Sequence, residues 1–332
     1  MKRLATIVGI LGVVGIAGAT ETRVWTFAQG NVSFLTDDEL IIRIFPSQMF
    51  QFDNFVTVEN PIVPDTLKGG FFKYASLIYS GDNFGAGMYV GQRRVLYGLN
   101  NPVEVFPVSF VLGVNSESNS IALNFTLGHS SSGDTSGTVV GFRPSLTVDF
   151  GNSGVDLAAF FDFEGVSDNN NSSSTMGFGF DGRYYGPVVV PVQIHFTRYS
   201  NSTKVNMGAG IGNTISIADG NVLGIAFIQF NNMVGREFSL GSILGGEFNL
   251  WRGIIVRGSI RYDLINYESV EGLYSKFHFG RPGPFTFGAG YDLGFARVDL
   301  ALSTDLLTKG PFFLTGNSGS AIITMLSLYG KF

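Results

Sequence analysis

A closed antiparallel transmembrane β-barrel is the fold this sequence predicts, and three observations carry the prediction. Stretches of about ten residues alternate between apolar and polar positions along most of the chain, the period of a strand with two unlike faces. Only 14% of residues are charged, well below the roughly 25% of ordinary soluble domains. Segments rich in Ser, Asn, Gly and Asp alternate with tight turns, as an up-and-down meander requires.

At the N-terminus, Lys2 and Arg3 precede an apolar core from Leu4 to Ile16 and the small residues Ala17-Gly18-Ala19. That order is a secretory signal peptide over residues 1–19, with cleavage after Ala19. The apolar stretch is short for a membrane helix, which needs ~20 residues. Residues 20–60 follow without clean alternation and form a lead-in or a plug. The barrel occupies residues 61–332.

Candidate strands fall near 69–79, 83–91, 106–115, 119–128, 137–150, 153–164, 174–185, 187–199, 203–212, 221–230, 236–251, 253–266, 283–294, 295–304 and 320–332. That count is odd, whereas single-chain bacterial barrels close with an even number. Further stretches at 54–59 and 270–280 restore parity, so the expected barrel has about 14 strands, or 16. Loops are expected at 129–137, 167–175 and 200–203. Pro144 and Pro191 interrupt strand patterns and predict bulges, because proline donates no ladder hydrogen bond.

The alternation also says which solvent lies where. Val155, Leu157, Ala159, Phe161 and Phe163 oppose Asp156, Ala158, Phe160, Asp162 and Glu164. A slip of one residue would turn the three acids toward the apolar side. Strands of this length match a tilted bilayer crossing of ~9–11 residues, and in hydrocarbon only a closed barrel satisfies every strand backbone group. The apolar face is therefore expected against outer-membrane lipid and the polar face in the lumen. The same rule places Arg143, Asp149, Asp156, Asp162, Glu164, Asp181 and Arg183 on the lumenal wall. His195, Arg257, Arg261, Asp263, Asp292, Arg297 and Asp299 join them. The stretch 222–230 is the exception: Leu223, Ile225 and Phe227 point inward, which demands a cover.

The closing sequence SAIITMLSLYGKF sets Phe332, Leu328, Leu326 and Ile322 on one face. It resembles the C-terminal signature of bacterial outer-membrane proteins, with Gly330 where that signature favours an aromatic. The resemblance implies the bacterial outer membrane as location and the barrel assembly machinery as a partner that reads the terminal strand. In residues 20–60 the acidic cluster Asp37-Asp38-Glu39 followed by Phe45-Pro46-Ser47 resembles the start of the long-chain fatty-acid outer-membrane transporter superfamily. In that superfamily an Asn-Pro-Ala motif occupies the place of Phe45-Pro46-Ser47, and the segment forms a hatch in the lumen. This second resemblance implies transport of a hydrophobic ligand.

Other chemistries find little support. There is no cysteine, and His129, His195 and His278 are too scattered for metal-ligand spacing. GFGFDG at 177–182 spells a dinucleotide motif, but strand alternation runs through it where a helix should begin. His195 beside lumenal acids lacks a serine motif, so no enzyme is expected and no cofactor. Without a Lys/Arg run the chain offers nothing to nucleic acid. The expected function is passage of an unidentified small solute through a lumen of mixed charge; the alternatives are a hydrophobic-ligand transporter and a structural or secretion-partner barrel.

Overall fold

The computed structural model describes Arg23 and residues 32–35, 39–61, 74–91, 94–96, 103–168, 171–199, 202–217, 219–231, 237–270, 274–302 and 323–332. The predicted signal peptide lies outside them. The strands begin with β1 (Phe55–Pro61), β2 (Tyr74–Ser80), β3 (Phe84–Val90), β4 (Arg94–Leu96), β5 (Val103–Val105) and β6 (Val108–Ser116). They continue with β7 (Asn119–Ser132), β8 (Thr135–Asp149), β9 (Gly154–Ser167), β10 (Ser172–Tyr185), β11 (Val190–Arg198) and β12 (Thr203–Ile217). The last are β13 (Gly220–Asn231), β14 (Phe238–Trp251), β15 (Ile254–Val270), β16 (Tyr274–Asp292), β17 (Ala296–Leu302) and β18 (Ile323–Lys331).

All but β4 and β5 form one closed barrel in which sequential neighbours pair antiparallel and β1 pairs with β18. That makes sixteen strands, the larger of the two expected numbers. Parity is restored by the stretch at 54–59, which is β1 and joins Val58 to Leu328 and to Ala75. The stretch at 270–280 adds no strand, because from Tyr274 it is the beginning of β16.

The expected loops at 129–137 and 167–175 are instead mostly strand. Ser131 pairs with Ser136, and Ser172 with Ser167, so the hairpins continue past the apolar stretch on a polar sequence. Neither proline makes a bulge. Pairing of β8 with β9 stops at Phe142–Phe161 and resumes at Ser145–Ala158, three residues on in both strands. Around Pro191, Val192 pairs with Ala209 and Val189 bridges Gly212, again three against three. The missing N–H opens the ladder and leaves the register intact.

At the end of the barrel that holds both Phe55 and Lys331, strands are joined by turns of at most four residues. Two of these share one design. Asp149 Oδ1 accepts from Gly151 N at 2.7 Å, and Asp292 Oδ1 from Gly294 N at 2.7 Å. Gly151 and Gly294 adopt φ of 90° and 85°, conformations that a side chain would strain. Asp149 and Asp292 thus stand at the rim, shaping turns.

Outward positions carry the apolar residues. Phe110, Phe125, Phe142, Phe161, Phe178 and Phe196 are direct cross-strand partners from β6 to β11, a continuous row of phenylalanines on the outer surface. The Phe178 and Phe196 rings stack with centroids 4.9 Å apart. Inward positions carry hydroxyl rungs in their place. Thr57 pairs with Ser76, Ser109 with Thr126, and Ser259 with Thr286, each bonded at 2.5 to 2.7 Å. Rungs of this kind let the inner wall satisfy its own polar groups.

Among the described residues, two pieces of chain lie inside the ring. The β4–β5 hairpin, between β3 and β6, packs Leu96, Val103 and Val105 on the inward Val139 and Val166. Gly137 allows the approach: a Cβ there would lie 2.9 Å from both Val103 and Val105. The other piece is the N-terminal segment, with short 3-10 turns at Val32–Phe34, Glu39–Arg43 and Pro46–Gln51. Ile41, Ile42, Phe45 and Met49 of this segment are 0 to 1% exposed, in one apolar cluster with the wall residues Phe55, Ile78, Val111, Ala122, Ala158 and Tyr329.

Candidate functional site

The site is the lumen, and it is built where the N-terminal segment meets the inner wall. Ser47 lies against β8: its N–H donates to Ser145 Oγ at 2.7 Å, and its Oγ is 2.8 Å from Thr147 Oγ1. Ser120 on β7 donates to the Ser47 carbonyl at 2.9 Å. Gln48 donates to Asp156 at 2.5 Å, and Asp156 also accepts from Thr147 at 2.7 Å. Farther along, Tyr329 of the last barrel strand donates to Glu39 at 2.8 Å.

Asp156 and Arg183 sit opposite each other on β9 and β10 and form an ion pair of 2.6 Å, both fully buried. Arg183 also donates to the Leu35 carbonyl at 2.8 Å, and its guanidinium lies 5.5 Å from the Phe45 ring centre. One lumenal pair therefore serves two turns of the enclosed segment. Nearby, Asp181 accepts from Arg143 at 3.1 Å and lies 2.7 Å from His195 Nε2. Arg143 donates as well to the Ile44 carbonyl at 3.3 Å and stacks 4.8 Å from the Phe160 ring.

A third group lies across the barrel. Glu247 on β14 and Asp299 on β17 receive three arginines. Arg257 bonds Glu247 and reaches Asp299 at 2.6 Å, while Arg297 reaches Asp299 at 3.1 Å and Glu247 at 3.4 Å. Arg23, far along the chain, grips Glu247 with two bonds of 3.0 and 3.2 Å. That fork geometry fixes orientation as well as charge. Arg261 and Asp263 pair at 2.7 Å, and Glu164 pairs with Arg94 of the hairpin at 3.3 Å.

The inward apolar strip has its cover. Leu223, Ile225 and Phe227 are buried with Phe34, Leu35, Leu40 and Ile243. Phe34 reaches the wall because Gly210 and Gly212 leave room: a Cβ on Gly210 would meet the ring at 2.5 Å.

Among the residues the sequence placed in the lumen, Arg143, Asp156, Asp181, Arg183 and His195 come together beside the enclosed segment. Arg257, Arg297 and Asp299 form the opposite cluster. Asp162 and Glu164 face a separate chamber under the hairpin, and Arg261 with Asp263 stands apart. At the last strand Leu328 and Phe332 are exposed outward, and Phe332 N donates to the Asn54 carbonyl at 3.1 Å. Sequence reasoning missed Arg23, Gln48, Glu59 and Glu247. Glu247 alternates correctly with Ile243 and Gly245 on β14 and was findable by that parity; Glu59, which bonds Ser327, ends the candidate stretch at 54–59 and shares the inward parity of Thr57. Gln48 and Arg23 lie in segments with no period to read.

The chain is similar in structure to the CymD monoaromatic hydrocarbon channel, at 10% identity, covering 97% of this chain and 98% of that one with a TM-score of 0.44. It is also similar to BamA from Haemophilus ducreyi lacking POTRA domains 1-3, at 8% identity, covering 84% of this chain and 70% of that one, TM-score 0.43. A further similarity is to CdiB from Escherichia coli, at 10% identity, covering 84% of this chain and 63% of that one, TM-score 0.44. No protein-family model matches the chain, and no curated protein does. By its own geometry, closed, sixteen-stranded and apolar outside, the chain is a transmembrane β-barrel of the outer-membrane type.

Proposed function

We propose that this barrel sits in the bacterial outer membrane and passes small solutes through its lumen when the N-terminal segment moves. One observation carries the reading: Ser47 and Gln48, fully buried, are held to Ser145, Thr147 and Asp156 by side-chain hydrogen bonds, and Ser120 adds one to the Ser47 carbonyl. A ring of ~16 strands is wide enough for an aqueous channel, so a segment filling it stands in the solute's path. Hydrogen bonds contribute about 0.5–1.5 kcal/mol each, or about 1.5–3 to a charged group such as Asp156, and such contacts open more readily than the wall itself. The charges divide in the same sense. Most are paired with each other or with the segment, so the mixed-charge lumen works as a gasket at rest.

The test is conductance in planar bilayers of the full mature chain against a variant lacking residues 20–52. Frequent, large openings in the deletion and rare ones in the full chain support the reading. Equal conductance, or none in either, overturns it.

A second reading, passage of a hydrophobic ligand, is favoured by a cavity of about 190 Å³ beside Phe34, Ile44, Phe45 and Phe227. It extends to Val192, Ala209 and Ile228, whose side chains face outward, next to the opened ladder at Pro191. Lipid or hydrocarbon retained by the purified protein, detected by mass spectrometry and lost in a Phe227→Asp variant, supports it; ligand-free protein contradicts it.

A further inference from the structure

Between the β4–β5 hairpin and the enclosed segment lies a second chamber, of about 200 Å³. Its wall holds polar groups that the fold does not use. Tyr89 is 8% exposed, and its hydroxyl has no hydrogen-bond partner among the described residues. Asn124 Oδ1 is likewise buried and unpaired. Native structures leave few such groups, because each costs about 1–3 kcal/mol. Two lining one chamber mark a place shaped for something else.

The surroundings narrow the ligand class. Asp162, on the same wall, has no hydrogen-bond donor among the described residues. The arginines lining the chamber are engaged: Arg94 with Glu164, Arg143 with Asp181, and Arg43 over the Tyr89 ring at 5.8 Å. The groups without a hydrogen-bond partner among the described residues are thus two acceptors, Asn124 Oδ1 and the Asp162 carboxylate, and one hydroxyl that both donates and accepts. They call for a ligand rich in O–H donors. A net anion would face Asp162 and Glu164, and a net cation would face three guanidiniums, so neither charge suits the chamber. Volume agrees: a chamber of about 200 Å³ has room for one five- or six-carbon polyol.

We propose that this chamber binds a small neutral polyol, of monosaccharide size, through Tyr89, Asn124 and Asp162. The proposal deepens the solute-channel reading and rests on it for its physiological meaning.

The experiment is isothermal titration calorimetry on the full mature chain in detergent micelles, with glucose, glycine, succinate and choline as probes. Saturable binding of glucose is expected, at least tenfold weaker in Tyr89→Phe and in Asn124→Leu, with little or no heat from the other three. Both variants are first shown to be folded by their heat-modifiable mobility on gels; a variant that is not is replaced by Asp162→Asn, which removes a carboxylate without a described hydrogen-bond donor and keeps its shape. Glucose that fails to saturate, binding unchanged in the folded variants, or preferential saturation by glycine, succinate or choline overturns the proposal. Calorimetry reads binding without transport. A barrel that binds glucose yet never conducts leaves the site standing and removes only the channel.

Discussion

Gln48 Nε2 lies 2.5 Å from Asp156 Oδ1, and this contact ties the segment inside the barrel to the barrel wall. Asp156 already neutralises Arg183 and accepts from Thr147, so one buried carboxylate organises wall and segment together. Removing it leaves the Arg183 guanidinium buried without its counter-charge. Asp156→Ala is expected to destabilise the barrel by about 3–5 kcal/mol, read as a lower midpoint in guanidinium unfolding followed by tryptophan fluorescence. Gln48→Ala should cost about 1.5–3 kcal/mol, since its acceptor is a carboxylate, and show mainly as faster proteolysis of the N-terminal segment. Equal midpoints for Asp156→Ala and the wild type contradict the network.

The phenylalanine row predicts a strong asymmetry between neighbouring positions. Phe161 faces outward and Asp162 faces the chamber. Phe161→Arg is expected to cost about 2–4 kcal/mol if it lies near the midplane, falling toward zero at the interface. Asp162→Asn should change stability by under about 1 kcal/mol, since no described donor depends on it. Folding yield into lipid vesicles, scored by gel mobility, compares the two.

Phe34 docks in a groove that glycine makes. A side chain at Gly210 would collide with that ring and with the Ala226 carbonyl, 2.9 Å from the added Cβ. Gly210→Val should therefore release the segment around Phe34 while the barrel stays closed. The expected result is normal heat-modifiability with protease cleavage near residues 32–35; an unchanged digestion pattern contradicts the docking.

The β4–β5 hairpin is held by apolar contact, and its Arg94 forms a half-exposed ion pair with Glu164. An exposed pair of this kind is worth about 0–1 kcal/mol, so Arg94→Ala should leave the hairpin in place. Val105→Asp buries an unpaired charge against Val139 and Val166 and should expel it. Larger single-channel currents in Val105→Asp, with Arg94→Ala near the wild type, are the expected pair of outcomes.

Much of the barrel could be read from the sequence because alternation and solvent are coupled: a charge on β9 has only one face it can occupy, and Asp156, Asp162 and Glu164 pin the register. Strand ends were less legible. Ser130 to Ser132 and Ser172 to Ser174 carry no apolar face, so their pairing depends on the hairpin below them rather than on a pattern of their own. The inward strip of β13 announced that something must cover it, yet Phe34, Leu35 and Leu40 lie in short apolar runs of an aperiodic segment, with no spacing that points them at β13. Arg23 and Glu247 are 224 residues apart, and they meet because the chain before β1 reaches the inner wall of β14, which no local pattern encodes.

The phenylalanine face meets acyl chains while its neighbours on the same strands do not. The chain lacks native cysteine, so single cysteines at Leu157, Phe161, Ala158 and Asp162 each carry one fluorescent label, and the vesicles contain nitroxide-bearing lipid. Strong quenching at Leu157 and Phe161 with little at Ala158 and Asp162 is the predicted result. Uniform quenching, the reverse order, or a chain that stays monodisperse in buffer without detergent would contradict it.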